Sequence, residues 1–155
     1  MDSNLRQEHL ENISRALVFV ADKLEKLKVN WLLGASGSLM VWGVKVVPND
    51  LDILVLPTDL SRVEKIFFKH ITSPIQIYEN TGREFSKFKM QIFGIEVEMI
   101  GRDVFDEKHV LVDFLGRKIP ANPLEKELEF YEKRPEKKDR IELIKGRLKE
   151  IYGKD

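Results

Sequence analysis

Residues 31–56 read WLLGASGSLMVWGVKVVPNDLDILVL, and the fold turns on how this stretch is read. Two apolar runs, Trp31-Leu32-Leu33 and Leu51 to Leu56, have strand character. Between them, Gly37-Ser38 is followed after eleven residues by Asp50-Leu51-Asp52-Ile53. Side chains alternate along a strand, so Asp50 and Asp52 share one face and Leu51 and Ile53 the other. Two carboxylates that close repel each other, and at least one is pushed up in pKa. A bound cation relieves the repulsion, and hard oxygen ligands suit Mg²⁺, or the similar Mn²⁺, which completes its shell with phosphate oxygens and water. Gly37 and Ser38 form a tight turn whose N–H groups and hydroxyl suit a phosphate. A short helix is expected from Ser38 to about Trp42, with Gly34 closing the first strand.

Upstream, Leu10, Ile13, Leu17, Val20, Leu24 and Leu27 recur at spacings of three and four, one apolar stripe on a long helix. The stripe reads as core packing, with a homodimer contact as the other use. Downstream, Thr58 is placed to cap a helix through His70 that turns Leu60, Val63, Ile66 and Phe67 inward. Ile75 to Glu79 is a strand candidate. Phe85 to Phe93 alternates, with Phe88, Met90 and Ile92 on one face and Lys87, Lys89 and Gln91 on the other. Gly94 turns the chain into Ile95–Ile100, making a hairpin. Asn122-Pro123-Leu124-Glu125 has the pattern of a capped helix start, and Pro135 opens a charged helix to about Tyr152. These elements predict an α/β (α+β) chain, a mixed sheet with helices packed mainly on one side. The whole of 1–155 is expected to be one domain, its core at about 28–120 with flanking helices at both ends.

The 155 residues carry 26 basic and 26 acidic side chains, so net charge makes no case for nonspecific nucleic-acid binding. There is no cysteine, which excludes disulfides and thiolate metal sites. His9, His70 and His109 have no metal-ligand spacing and read as surface or satisfied core residues. No apolar stretch approaches membrane-spanning length, and the polar N-terminus is unlike a signal peptide, so the expectation is a cytoplasmic protein without a membrane partner.

A second strand bears acid. Glu96 and Glu98 alternate with Ile95, Val97 and Met99. If this strand lies beside that of Asp50 and Asp52, three or four carboxylates converge, and three can hold two divalent ions for an in-line phosphoryl displacement. Glu96 reads as a solvated position. Lys87 and Lys89, by default a solvated face, are placed to neutralise phosphates, and Arg83 lies in the turn after Asn80-Thr81-Gly82.

With these residues in view, the chain resembles the nucleotidyltransferase superfamily, the polymerase-β-like fold of the minimal nucleotidyltransferases. The elements that carry the resemblance are Gly37-Ser38, Asp50-Leu51-Asp52-Ile53 and Glu98 in Val97-Glu98-Met99-Ile100, with Arg134 to Arg140 similar to a segment opening the last helix. The third acid is Glu rather than the commoner Asp, and Lys45 is the only basic residue between the Gly-Ser and the Asp pair. The resemblance implies transfer of a nucleoside monophosphate from an NTP, ATP foremost, to a hydroxyl-type acceptor that is a protein, a small molecule or an RNA end. It implies Asp50, Asp52 and Glu98 as catalytic metal ligands and Gly37 and Ser38 at the triphosphate, and the residues' own placement adds Lys87, Lys89 and Arg83 as candidate nucleotide contacts. It also leaves open a silent nucleotide-binding or antitoxin-type protein of the same fold, and a small helical partner protein.

Overall fold

The computed structural model describes residues 3–80, 82–103 and 109–153, without the side chains of Asn80 and Arg83. The apolar stripe becomes α1 (Ser3–Leu27), which buries Ile13, Ala16, Leu17, Val20, Ala21 and Leu24. Next come β1 (Trp31–Gly34), α2 (Ala35–Val41), β2 (Leu51–Val55), α3 (Leu60–Ile66), β3 (Ile71–Asn80), β4 (Arg83–Ile92) and β5 (Ile95–Gly101). A further hairpin, β6 (Val110–Phe114) and β7 (Arg117–Ala121), precedes α4 (Leu124–Glu132) and α5 (Lys138–Tyr152). Among the described residues no helix is long and apolar enough to cross a membrane.

The strands form one mixed sheet in the order β3-β4-β5-β2-β1-β7-β6. β1 runs antiparallel to β2 and parallel to β7, while β2 and β5 are parallel. Alternation then sorts the side chains. Leu51, Ile53 and Val55 of β2, Val97 and Met99 of β5, and Phe88 and Met90 of β4 are fully buried on one face, against α1 and α3. The opposite face of the same strands carries Asp52, Glu98, Lys87 and Lys89. A smaller cluster of Leu39, Val44, Leu124, Tyr131 and Ile144 joins α2 to α4 and α5.

Several local expectations change. The second helix starts at Ala35, three residues before Ser38. The expected helix through His70 is a 3₁₀ turn at Pro57–Asp59, then α3, then a second 3₁₀ turn at Phe68–His70. Thr58 makes no cap, and Ile66 is exposed while Leu60, Val63 and Phe67 fill the core. Pro123 is the residue before α4, and Asn122 donates to Glu127 (3.2 Å) in place of a capping box with Glu125. The β6–β7 hairpin was not anticipated.

Candidate active site

The carboxylates are placed by strand register. Asp52 stands level with Glu98 across the parallel β2–β5 pair, and with Gly34 across the antiparallel β1–β2 pair. Lys89 continues the row on β4, opposite Glu98. Gly34-Asp52-Glu98-Lys89 is thus a single line across four strands, on the face that no apolar cluster covers. Lys87 is one step along β4 and reaches back, its Nζ 3.1 Å from Glu98 Oε1. Lys89 Nζ is 3.6 Å from the same oxygen.

This arrangement splits the two acids. Burial, the charges of Asp50 and Glu98, and a hydrogen bond to Glu98 push the Asp52 carboxyl up to about 7, against the weaker pull of Lys87. Burial also acts to raise Glu98, but hydrogen bonding and attraction from Lys87, the bond from Asp52 and the charge of Lys89 together hold it below its usual range. Without a cation and below about pH 7, the pair's proton favours Asp52, which then donates to Glu98. Asp50 does not share their strand; it lies in the bend just before β2 and contributes charge from there. Among the described residues no three acids or histidines are grouped tightly enough to hold a metal ion as they stand. The chemistry of the donor set nonetheless fits a divalent cation. Two carboxyls in contact, one of them kept from ionising partly by its acidic neighbours, are what such an ion would relieve.

Gly37 and Ser38 lie inside α2, buried. A Cβ on Gly37 would stand 3.0 Å from Leu33 Cδ1 and 3.2 Å from Leu51 Cδ2, so this glycine lets α2 approach the strands beneath it. The Ser38 hydroxyl has no surface and no hydrogen bond of good geometry. It lies near enough to the buried Glu127 carboxyl to favour its charge, against the burial that raises that group overall. Gly34 and Ser36 are buried as well, so in this stretch only Ala35 is exposed. The turn that meets Asp52 is three residues before Gly37: Gly34 caps α2, Ala35 is exposed with a left-handed φ of 51°, and Ser36 follows. The signal was in the sequence. Gly-Ala-Ser-Gly-Ser offers two glycine–serine turns, and the one flush with the end of an apolar strand sits at the sheet end.

The other expected contacts are dispersed. Glu96 pairs across the sheet with Gln91 and is half-buried. Arg83 opens β4, and its side chain lies outside the described residues. His9 Nε2 is 2.8 Å from the Pro48 carbonyl, a satisfied local contact.

No family model and no curated protein matches the sequence. Solved structures do. The chain is similar to a candidate nucleotidyltransferase (TM1012) from Thermotoga maritima, with 26% identity and a TM-score of 0.69 over 88% of this chain and 92% of that one. It is similar to the lincosamide antibiotic adenylyltransferase LnuA with lincomycin bound, at 17% identity and a TM-score of 0.60 over 84% and 95% of the chains. It is also similar to ANT(2'')-Ia in complex with adenylyl-2''-tobramycin, at 11% identity and a TM-score of 0.57 over 87% and 88%. The chain has the fold of the nucleotidyltransferase superfamily.

Proposed function

We propose that this protein is a metal-dependent nucleotidyltransferase that moves a nucleoside monophosphate from an NTP, most simply ATP, to the hydroxyl of a small molecule. The observation that carries the reading is the register of Asp52 and Glu98 on adjacent strands, level with the Gly34–Ser36 turn. The antibiotic adenylyltransferases among the neighbours support a small acceptor and an adenylyl donor.

The turn's backbone N–H groups hold the β- and γ-phosphates, since a left-handed residue next to a helix start points successive amides at one anion. Asp52 and Glu98, with Asp50 from the bend, would hold Mg²⁺ or Mn²⁺, which would supply charge neutralisation to the triphosphate and to the carboxylates themselves. Lys87 and Lys89 keep Glu98 ionised and supply positive charge beside the transferred group. The acceptor oxygen bonds to the α-phosphorus as the bond to the β-phosphate oxygen breaks, and pyrophosphate leaves with the electron pair. The acceptor's proton passes to Glu98 on Oε2, the oxygen the lysines leave. Most of the acceleration comes from positioning and charge complementarity.

Calorimetry with ATP, GTP, CTP and UTP, each with Mg²⁺ and then Mn²⁺, tests the reading. At least one nucleotide should bind only when metal is present, and Asp52→Asn should abolish that binding. Failure of all four nucleotides with both metals would reject it in favour of a silent scaffold.

A further inference from the structure

On the open face, beyond the carboxylates, Tyr78 of β3 faces Phe85 of β4, with ring centroids 5.7 Å apart and planes 20° from parallel. A cation caps each end of this pair. Lys87 Nζ lies 4.6 Å from the Tyr78 centroid, and Arg102 Cζ lies 5.0 Å from that of Phe85. Lys87 is the same side chain that contacts Glu98. The stack is therefore joined directly to the reacting carboxylates.

We propose that this stack is the acceptor platform and that it selects a flat, negatively charged small molecule bearing a hydroxyl at its far end. The inference rests on the nucleotidyl-transfer reading, and three observations carry it. In-line displacement sets the direction: pyrophosphate leaves on the side of the Gly34–Ser36 turn, on β1, so the attacking hydroxyl comes from the opposite side, over β5, β4 and β3. The platform lies on those strands. The second observation is charge. Lys87 is already paired with Glu98, but Arg102 would meet a polycationic acceptor at like charge, whereas an anion is drawn to it. The third is spacing. Arg102 sits more loosely on its ring than Arg134, which lies 3.6 Å from the Phe130 centroid. Two stacked layers need about 7 Å. Arg102 is exposed and its backbone N–H is anchored on the Val55 carbonyl (2.9 Å), so its side chain can lift about 2 Å to close over a ring resting on Phe85. From residue 98 to residue 102 the strand direction covers about 13 Å, so the acceptor is an extended molecule of roughly that reach. Among the described residues the platform is one ring pair wide, which favours a small molecule over a nucleic-acid strand.

The test uses the full chain with Mg²⁺ and α,β-methylene-ATP filling the triphosphate side. The probe is 6-hydroxy-2-naphthoate, followed by its fluorescence and by the ring NMR signals of Tyr78. Expected results are a shift of those signals and at least five-fold weaker binding in Tyr78→Leu and in Arg102→Gln. Phe68→Leu, an exposed aromatic elsewhere, should not change it. Arg102→Gln removes only a surface charge, so the test holds even if Tyr78→Leu unfolds. Equal binding by Arg102→Gln would overturn the proposal, as would tighter binding of 2-naphthylmethylamine or tobramycin at Tyr78. Ten-fold tighter binding of a cytidine decamer RNA would overturn the small-molecule assignment. If the ATP analogue fails to bind while the naphthoate still finds Tyr78, the transfer reading falls and an anion-binding surface remains. If the analogue binds and the naphthoate does not, only the platform falls.

Discussion

The two faces of the central strands are built from the same residues in alternation, yet they obey opposite rules. On one, Leu51, Ile53, Val97, Met99, Phe88 and Met90 are fully buried under α1 and α3. On the other, one residue away each time, Asp52, Glu98, Lys87 and Lys89 stay half-buried and hold one another through charge. The closed face obtains stability from apolar burial, at roughly 25 cal/mol per Å². The open face gives some of it back by setting the like charges of Asp50, Asp52 and Glu98 near one another. The difference shows where substitutions should damage folding and where they should damage chemistry.

The largest separation is expected at Asp52. Asp52→Asn should lower metal-dependent pyrophosphate release by on the order of 10²-fold or more while leaving the fold intact. Turnover within two-fold of wild type would mean the open face works without this carboxylate. Gly37→Val probes the other face. Its side chain would press on Leu33 and Leu51, so a loss of about 1–3 kcal/mol is expected in denaturant unfolding, with nucleotide affinity per folded molecule unchanged. A variant of wild-type stability that no longer binds nucleotide would put Gly37 in the site after all.

Without metal, the folded state keeps a proton on Asp52 up to about pH 7, whereas the unfolded chain releases it near 3.8. The folded state thus binds more protons in that window, and this group's contribution to stability falls as pH rises from about 4 to about 7. Glu98, shifted the other way, adds stability above its ordinary 4.5 and loses it as pH falls through its lower folded value. Melting wild type and Asp52→Asn at pH 5 and pH 8, both free of metal, isolates the Asp52 part. The variant should gain most at pH 8, on the order of 1 kcal/mol. Equal gains at both values would mean Asp52 does not titrate in this window. The smallest effect is expected at Ala35, whose left-handed backbone suits glycine. Ala35→Gly should raise the free energy of unfolding slightly, by up to about 1 kcal/mol, and leave nucleotide affinity within two-fold.

Periodicity found most of the closed face. The α1 stripe and the alternation of β2, β4 and β5 were legible because burial of one face imposes period on sequence. The acids of the open face were legible for the same reason, since Asp52 and Glu98 interrupt otherwise apolar strands. The Gly37-Ser38 pair lies buried inside α2, whereas Gly34, three residues earlier, stands level with Asp52. Gly37 imitates a turn glycine, although close approach of a helix to strands requires it, and Ala35 adopts a left-handed conformation that its identity does not advertise. The β6–β7 hairpin has a weak sequence signal because Asp113, Arg117 and Lys118 dilute its alternation and Leu115 takes a positive φ beside Gly116 where asparagine would signal a turn. The Tyr78–Phe85 stack arises from the pairing of two strands and has no local sequence pattern.

Arg147 of α5 donates from Nε to the Trp42 carbonyl at 2.6 Å and crowds Gly43, closing the end of α2 from 105 residues away. The helix that follows the Gly34–Ser36 turn is thus made early and fastened late. At translation rates of 5–20 residues per second, α2 emerges about 5–20 s before its clamp exists. For that interval the nascent chain carries the acids of β2 beside a helix not yet seated. The final seating of α2 is therefore expected to wait for α5 and to come late in folding.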